Sequence, residues 1–244
     1  MRIVASVEAR MRSARLPGKV LKPILGRPML ALQIERLKRV RHINDIVIAT
    51  TVDWSCDPIE ELAGRLRVGC YRGSEEDVLV RVLEAARYAG ADLIVEINGD
   101  NPLIDPGTVE HVIEAFLAND VDYCSNCLEP TYPDGMAVQV FPLFVLEEVA
   151  GLTNDPVDHE HVSLYIYEHP ERFRLLNVAS DLPAGASELR LTVDTPEDFE
   201  LVSRIYEELH PTNPAFTLRD ILDLFKQNAT LREINSHIKQ KAVH

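Results

Sequence analysis

The chain has 244 residues, 46% of them hydrophobic, and 25 lysines and arginines against 39 aspartates and glutamates give it a formal net charge of −14. That length fits one α/β domain, with or without an appended arm, and no apolar run approaches the roughly 20 residues of a membrane span. Arg10 and Arg12 interrupt any signal-peptide core, which predicts a cytoplasmic protein, and the acidic balance argues against nucleic acid, whose backbone wants a broad basic face.

In chain order, the apolar run Ile3–Val7 reads as a strand. It is followed by predicted elements at Met29–Val40 (helix), Asp45–Thr51 (strand), Pro58–Arg65 (helix), Val68–Arg72 (strand), Glu75–Tyr88 (helix), Asp92–Ile97 (strand) and Thr108–Leu117 (helix). Leu30, Ile34 and Leu37 share one face of the first helix, with Pro28 in its first turn. This alternation predicts a mostly parallel sheet covered by helices. Beyond residue 120 the pattern changes. Strands are predicted at Asp122–Asn126, Val138–Phe141, Arg174–Val178 and Glu188–Val193, and helices at Phe144–Ala150, His159–Glu168, Pro196–Leu209, Leu218–Gln227 and Leu231–Lys239. No repeat or linker divides the chain, so it reads as one domain with a helical C-terminal region.

Charge is unevenly spread. Residues 1–41 hold 11 of the 25 cations and only Glu8 and Glu35 as anions, leaving 14 cations and 37 anions for the rest. A local positive field in an acidic chain draws a small anion to one cleft. The loop after Val7 lies where an open parallel sheet binds ligands, beyond the carboxyl end of a strand. Arg15 offers a planar fork to phosphate oxygens, Lys19 a compact charge, Ser13 a neutral donor and Gly18 close backbone approach. Taken alone, the loop is equally a solvated basic stretch. It carries neither the GxxxxGK[ST] nor the GxGxxG spacing.

Two further segments place an aspartate after an apolar run. Asp100 follows Leu93–Ile97 in Ile97-Asn98-Gly99-Asp100-Asn101-Pro102, and Asp194 follows Leu191-Thr192-Val193. Two carboxylates at strand ends can hold Mg²⁺, whose remaining ligands are phosphate oxygens and water. Each also has a plainer reading, Asp100 as a turn residue and Thr195-Pro196 as a helix start. Cys124 and Cys127 have CxxC spacing, but Cys56 and Cys70 supply no second pair, so buried reduced thiols are expected rather than zinc.

Together these segments carry a family likeness. The stretch Ala9-Arg10-Met11-Arg12-Ser13-Ala14-Arg15-Leu16-Pro17-Gly18-Lys19-Val20-Leu21 resembles the signature loop of the sugar-acid cytidylyltransferases, such as the 3-deoxy-manno-octulosonate and acylneuraminate enzymes. Asn98–Asp105 and Arg190–Asp198 are similar to that family's other two motifs, in the expected order. Tyr71–Leu79 and Glu160-His161-Val162 point to the spore-coat polysaccharide branch. The likeness spans about residues 1–205.

It implies a three-layer Rossmann-like nucleotidyltransferase fold with a mostly parallel mixed sheet. The implied domain is 1–210, with an acceptor-binding and dimerisation insertion at about 128–181 and a helical extension at 211–244. It implies that Arg10, Ser13, Arg15 and Lys19 hold the triphosphate of CTP, with Arg72, Gly73, Ser74 and Asn98 also on the nucleotide. Asp100 and Asp194 would hold Mg²⁺, so that Lys19, Arg15, Asp100 and Asp194 form the catalytic set. Gly135, Gln139, Glu160 and His161 would face a small-molecule acceptor, and a homodimer is implied. One departure stands out: the branch reads Gly-Leu/Met-Asp-Val-Glu-Val-Phe where this chain has Gly135-Met136-Ala137-Val138-Gln139-Val140-Phe141, so two acids are lost beside the acceptor. Two rival readings remain, a nucleotide-binding sensor without turnover and a metal-dependent glycosyltransferase using Asp120-Val121-Asp122 as an Asp-x-Asp motif.

Overall fold

In the computed structural model, which describes residues 1–239, strand β1 (Ile3–Glu8) sends Ile3, Ala5 and Val7 into one hydrophobic cluster and Val4 into another. Alternate side chains of a strand point to opposite faces, so β1 has to be covered on both sides. After the basic loop come a 3-10 turn at Lys19–Leu21, a hairpin of β2 (Pro23–Ile24) and β3 (Arg27–Pro28), and α1 (Met29–Leu37). The alternation continues through β4 (Asp45–Thr51), α2 (Asp57–Leu66), β5 (Gly69–Gly73), α3 (Val78–Ala89), β6 (Leu93–Asn98) and α4 (Pro106–Ala118). Then follow β7 (Tyr123–Ser125), β8 (Gln139–Pro142), α5 (Leu143–Leu152), α6 (Pro156–Glu160), α7 (Leu164–Glu168), β9 (Leu175–Asn177), α8 (Pro196–Leu209) and α9 (Leu218–Gln227).

Seven strands form one sheet in the order β5-β4-β1-β6-β8-β7-β9. β8 runs antiparallel to β6 and β7, and every other pairing is parallel. Helices α1, α2, α4, α8 and α9 pack on one face, and α3, α5 and α7 on the other. This is the predicted three-layer α/β fold. Leu30, Ile34 and Leu37 of α1 are fully buried, each contributing about 1.5–3 kcal/mol of burial. Among the described residues no helix is long and apolar enough to cross a membrane.

From β1 the chain winds out to β4 and β5, then crosses back to lay β6 against the other edge of β1. Ligands bind outside the carboxyl ends at such a reversal. The two strand ends meet closely there: the Gly99 N–H donates to the Glu8 carbonyl at 2.9 Å, and a Cβ on Gly99 would lie 2.2 Å from that oxygen. Gly99→Ala is therefore expected to push β1 and β6 apart, an overpacking cost of about 1–3 kcal/mol. Thermal unfolding should show a melting temperature several degrees lower; an unchanged value would mean the strand ends separate freely.

Several elements differ from expectation. Glu188–Val193 is no ladder strand but a 3-10 turn at Ala186–Glu188 followed by one bridge between Asp134 and Arg190. Its backbone pairs with loops instead, Leu191 N–H donating to the Asp134 carbonyl and Val193 N–H to the Asp100 carbonyl, each at 2.8 Å. The predicted helix His159–Glu168 is two helices, α6 and α7, because His161 leaves helical geometry at φ −114, ψ 54. α6 also starts earlier, with Asp155 as its cap and Pro156 in its first turn. α3 begins at Val78 rather than Glu75, since the Asp77 carboxylate caps it by accepting from Val80 N–H at 2.9 Å. Pro28 is the extended N-cap of α1, one position before the helix. In place of a helix over Leu231–Lys239 there is a 3-10 turn at Ala229–Glu233. Leu218, Ile221, Leu222 and Phe225 of α9 join the main core, and residues 240–244 of the predicted extension lie outside the described residues. Cys56 and Cys124 are buried as expected, whereas Cys127 is at the surface.

Candidate active site

The 3-10 turn after the basic loop turns Lys19 inward. Its Nζ donates to Asp100 Oδ2 at 2.9 Å, to Asp194 Oδ1 at 2.9 Å and to the Val193 carbonyl at 2.8 Å. Asp100 stands on the loop after β6 and Asp194 just before α8, so three segments distant in sequence meet at one nitrogen. Burial works against the Lys19 charge, but the Asp100 and Asp194 carboxylates outweigh it and hold the pKa above the ordinary lysine value.

Asp194 is held from several sides. Arg15 Nη2 lies 2.9 Å from its Oδ2, and Arg190 Nη2 donates to the same oxygen at 2.7 Å. Burial favours the neutral carboxyl, yet Lys19, Arg190 and Arg15 keep its pKa below the usual aspartate range. Arg190 also donates through Nε to Asp198 Oδ1 at 2.9 Å and through Nη1 to Asp134 Oδ2 at 2.8 Å. Asp198 in turn accepts from the Asp194 and Thr195 N–H groups, each at 3.0 Å, and completes a capping box with Thr195 at the start of α8. Gly135, at φ +95, packs so closely that a Cβ would lie 2.5 Å from Thr192 N; this sets Asp134 beneath Arg190. Sequence reasoning gave Arg190, Asp134 and Asp198 no role. The one available signal was a cation four residues before Asp194, since the partnership with Asp134 spans 56 residues.

The other predicted positions separate into groups. Arg10 reaches the Glu75 carbonyl at 3.4 Å, Ser13 Oγ accepts from Leu16 N–H at 3.4 Å, and exposed Asn98 ends β6 beside Asp100. Arg72 is differently employed. Its guanidinium donates to the Thr51 and Asp53 carbonyls at 3.1 and 3.0 Å and pairs with Asp57 and Glu60 of α2 at 2.7 and 2.8 Å. Gly73 leaves room for the Tyr71 and Arg81 side chains, each 3.1 Å from where a Cβ would stand, and Ser74 Oγ accepts from Asp77 N–H at 3.0 Å. Gln139 Oε1 accepts from the Tyr123 hydroxyl at 2.6 Å and from the Ser163 hydroxyl. Glu160 is exposed and His161 half-buried at the break between α6 and α7. Asp120 and Asp122 both pair with Arg174, which leaves the Asp-x-Asp spacing a structural clasp.

Two hard carboxylate oxygens that already share one cation, the Lys19 ammonium, fit a small divalent ion. Mg²⁺ takes one or two carboxylates and fills its octahedron with phosphate oxygens and water.

A cytidylyltransferase family model matches residues 4–239. The chain belongs to the cytidylyltransferase family. The spore coat polysaccharide biosynthesis protein SpsF of Bacillus subtilis is 30% identical over 238 residues, covering 95% of this chain and 98% of that one. A cytidylyltransferase structure from Leptospira borgpetersenii gives a TM-score of 0.90 at 30% identity, covering 100% of both chains. The structure of CMP:2-keto-3-deoxy-manno-octonic acid synthetase complexed with CTP shares the fold, with a TM-score of 0.63 at 21% identity over 86% of this chain and 100% of that one. The cytidylyltransferase is thus a nucleotidyltransferase on a Rossmann-like sheet.

On the other side of the sheet this cytidylyltransferase holds a buried carboxyl pair. Glu96 of β6 stands opposite Gln139 of β8, and its carboxyl meets that of Glu8 at the end of β1. Burial raises both: Glu8 is pushed up to about 7, and Glu96, further raised by Glu8, lies well above the ordinary glutamate value. A raised acid binds protons more tightly in the folded chain, so its stabilisation is full below the unfolded value of 4.5 and is lost as pH rises through about 7. The melting temperature is expected to fall as pH rises from about 4.5 through about 7, and Glu96→Gln should lessen that slope by removing the share of Glu96, while Glu8, raised by its own burial, keeps the rest. His159, raised overall by Asp77 against the effect of its burial, adds a lesser fall in the same direction that the variant keeps. A wild-type profile flat over this range would refute the raised carboxyl pair.

Proposed function

We propose that this protein transfers CMP from CTP to a sugar acid or related small acceptor and releases pyrophosphate, with Mg²⁺ held by Asp100 and Asp194. The observation that carries this reading is the Lys19 ammonium lodged between those two carboxylates beside Arg15. Cations for phosphate oxygens and acids for a divalent ion lie at one crevice, which is what a nucleoside triphosphate with its metal demands. The CTP complex of the structural neighbour agrees with this.

Arg10, Ser13, Arg15 and Lys19 bind the triphosphate, and Asn98, Gly73 and Ser74 border the nucleoside. Arg72 shapes that border from its clasp on α2. When bound, Mg²⁺ supplies Lewis-acid neutralisation of phosphate charge. An acceptor oxygen attacks the α-phosphorus in line; its bond to phosphorus forms as the bridging oxygen to the β-phosphate departs with the electron pair. Arg15 and Lys19 meet the negative charge that builds on the leaving pyrophosphate, and Asp194 orients the attacking hydroxyl, whose proton passes to solvent. Positioning and charge neutralisation suffice for such a displacement, so no nucleophilic side chain is needed. Gln139, Gly135, Glu160 and His161 border the acceptor, and the region about 128–181 forms a homodimer contact.

The test is pyrophosphate release from CTP and Mg²⁺ over a panel of sugar acids. Release with at least one acceptor is expected, abolished by chelation and reduced at least about 100-fold by Asp100→Asn, as loss of a group that stabilises charge in the transition state costs. Full activity of Asp100→Asn would move the metal elsewhere. CTP binding that Mg²⁺ leaves unchanged, with no release from any acceptor, would favour the sensor reading.

A further inference from the structure

On the face of the sheet that carries α1 and α8, away from the Lys19 cluster, a cavity of about 390 Å³ opens between those two helices. Its walls include Arg27, Arg36, Arg39 and His210, with Glu35 as the one acid, alongside apolar Leu32. Glu35 is already paired with Arg27. Arginines therefore dominate the charge of this cavity in a chain whose net charge is −14.

Arg36 is the telling residue. Its side chain is 1% exposed, Nη2 donates to the Phe216 carbonyl at 3.0 Å and the guanidinium lies 4.5 Å from the centre of the Phe216 ring, yet Nη1 has no hydrogen-bond partner among the described residues. The nearest carboxylate, Asp105, is 4.0 Å from Nη2. Asp105 accepts from Leu218 N–H at Oδ1, 3.1 Å, and from Thr108 N–H at Oδ2, 3.0 Å. A buried guanidinium with an unmet donor is costly, and a charged acceptor is what satisfies it.

The same walls reach the loop that bears Asp100. Arg36 Nε donates to the Ile104 carbonyl at 2.7 Å, and the Tyr206 hydroxyl donates to the Pro102 carbonyl at 2.7 Å. Whatever fills the cavity thus bears on two side chains that pin residues two and four places beyond Asp100.

We propose that this cavity is a second anion site, built for a phosphate group, whose occupant braces the Asp100 loop from behind. Arg39, exposed and with its side chain bonded among the described residues only to the Glu35 carbonyl at 3.4 Å, supplies the outer charge and Arg36 the buried donor, while the charge of Arg27 is offset by Glu35.

The test is a ³¹P NMR titration of inorganic phosphate into the metal-free, full-length protein. Saturable binding is expected at millimolar or lower concentration, weakened at least about tenfold by Arg39→Ala, which removes a charge-assisted partner at a surface position that does not threaten folding. Arg15→Ala, which loosens phosphate only at the crevice, should leave this binding in place. No saturable binding, or binding untouched by Arg39→Ala, would overturn the proposal; so would binding lost in Arg15→Ala alone, which would put the ion beside Lys19.

Discussion

Replacing Lys19 by alanine is expected to lower CMP transfer at least about 100-fold, since under the proposed mechanism the variant loses a preorganised cation that meets charge building on the departing pyrophosphate. The stability effect is smaller. Asp194 keeps Arg15 and Arg190, and the Asp100 side chain is 25% exposed and keeps contact with water, so the loss falls below the roughly 3–5 kcal/mol of stranding a fully buried charge. The variant carries a further signature. With the ammonium gone, a divalent ion meets one competitor fewer at the two acids, Arg15 and Arg190 staying on Asp194, and a ligand that binds only the folded form raises the melting point more the tighter it binds. Mg²⁺ should therefore raise the melting temperature of Lys19→Ala by more than that of the wild type. Undiminished turnover would remove Lys19 from the chemistry, and an equal response to Mg²⁺ would show that the ion binds away from the ammonium.

The largest structural effect is expected from Arg190→Ala. The side chain is 7% exposed and pairs with Asp134, Asp194 and Asp198, the last fully buried. Removing it leaves the buried Asp198 without its cation, while Asp194 keeps Lys19 and Arg15 and Asp134 is 35% exposed; stranding the buried acid costs about 3–5 kcal/mol. For a chain of this size that lowers the melting temperature by roughly 6–20 °C. Arg190→Lys should recover only part, because one ammonium cannot reproduce a planar fork spread over three carboxylates. Because Asp198 caps α8 and fixes the Asp194 backbone, activity should fall with stability. A melting temperature within about 2 °C of wild type would show that solvent reaches these acids after all.

Much of this was legible in the residues. β1, β4 and β6 sit inside the sheet and are covered on both faces, so they read as near-continuous apolar runs, and the polar residue that ends such a run marks the ligand edge. Asp100 is singled out in that way; Asp194 is singled out by the same rule although the segment before it is no ladder strand. Arg190 escaped because its partner Asp134 comes from an irregular loop held by Gly135 against Thr192, and a loop has no period to read. Arg72 was assigned to the nucleotide because a cation beside Gly73 and Ser74 matches the family motif; that Asp57 and Glu60 of α2 face it depends on how α2 lies across β5, which local sequence does not encode. The break at His161 was missed for a similar reason. Helical spacing ran on through residues whose backbone turns between α6 and α7.

The three bonds of Lys19 also set an order of events in the newborn chain. Its two acidic partners follow it by 81 and 175 residues. At about 5–20 residues per second of synthesis, the basic loop leaves the ribosome roughly 10–35 s before Asp194. Throughout that interval it is a cationic patch lacking its closing counter-ion, free to attract any polyanion nearby, and the crevice takes its final form only when the sequence ahead of the last long helices has been delivered.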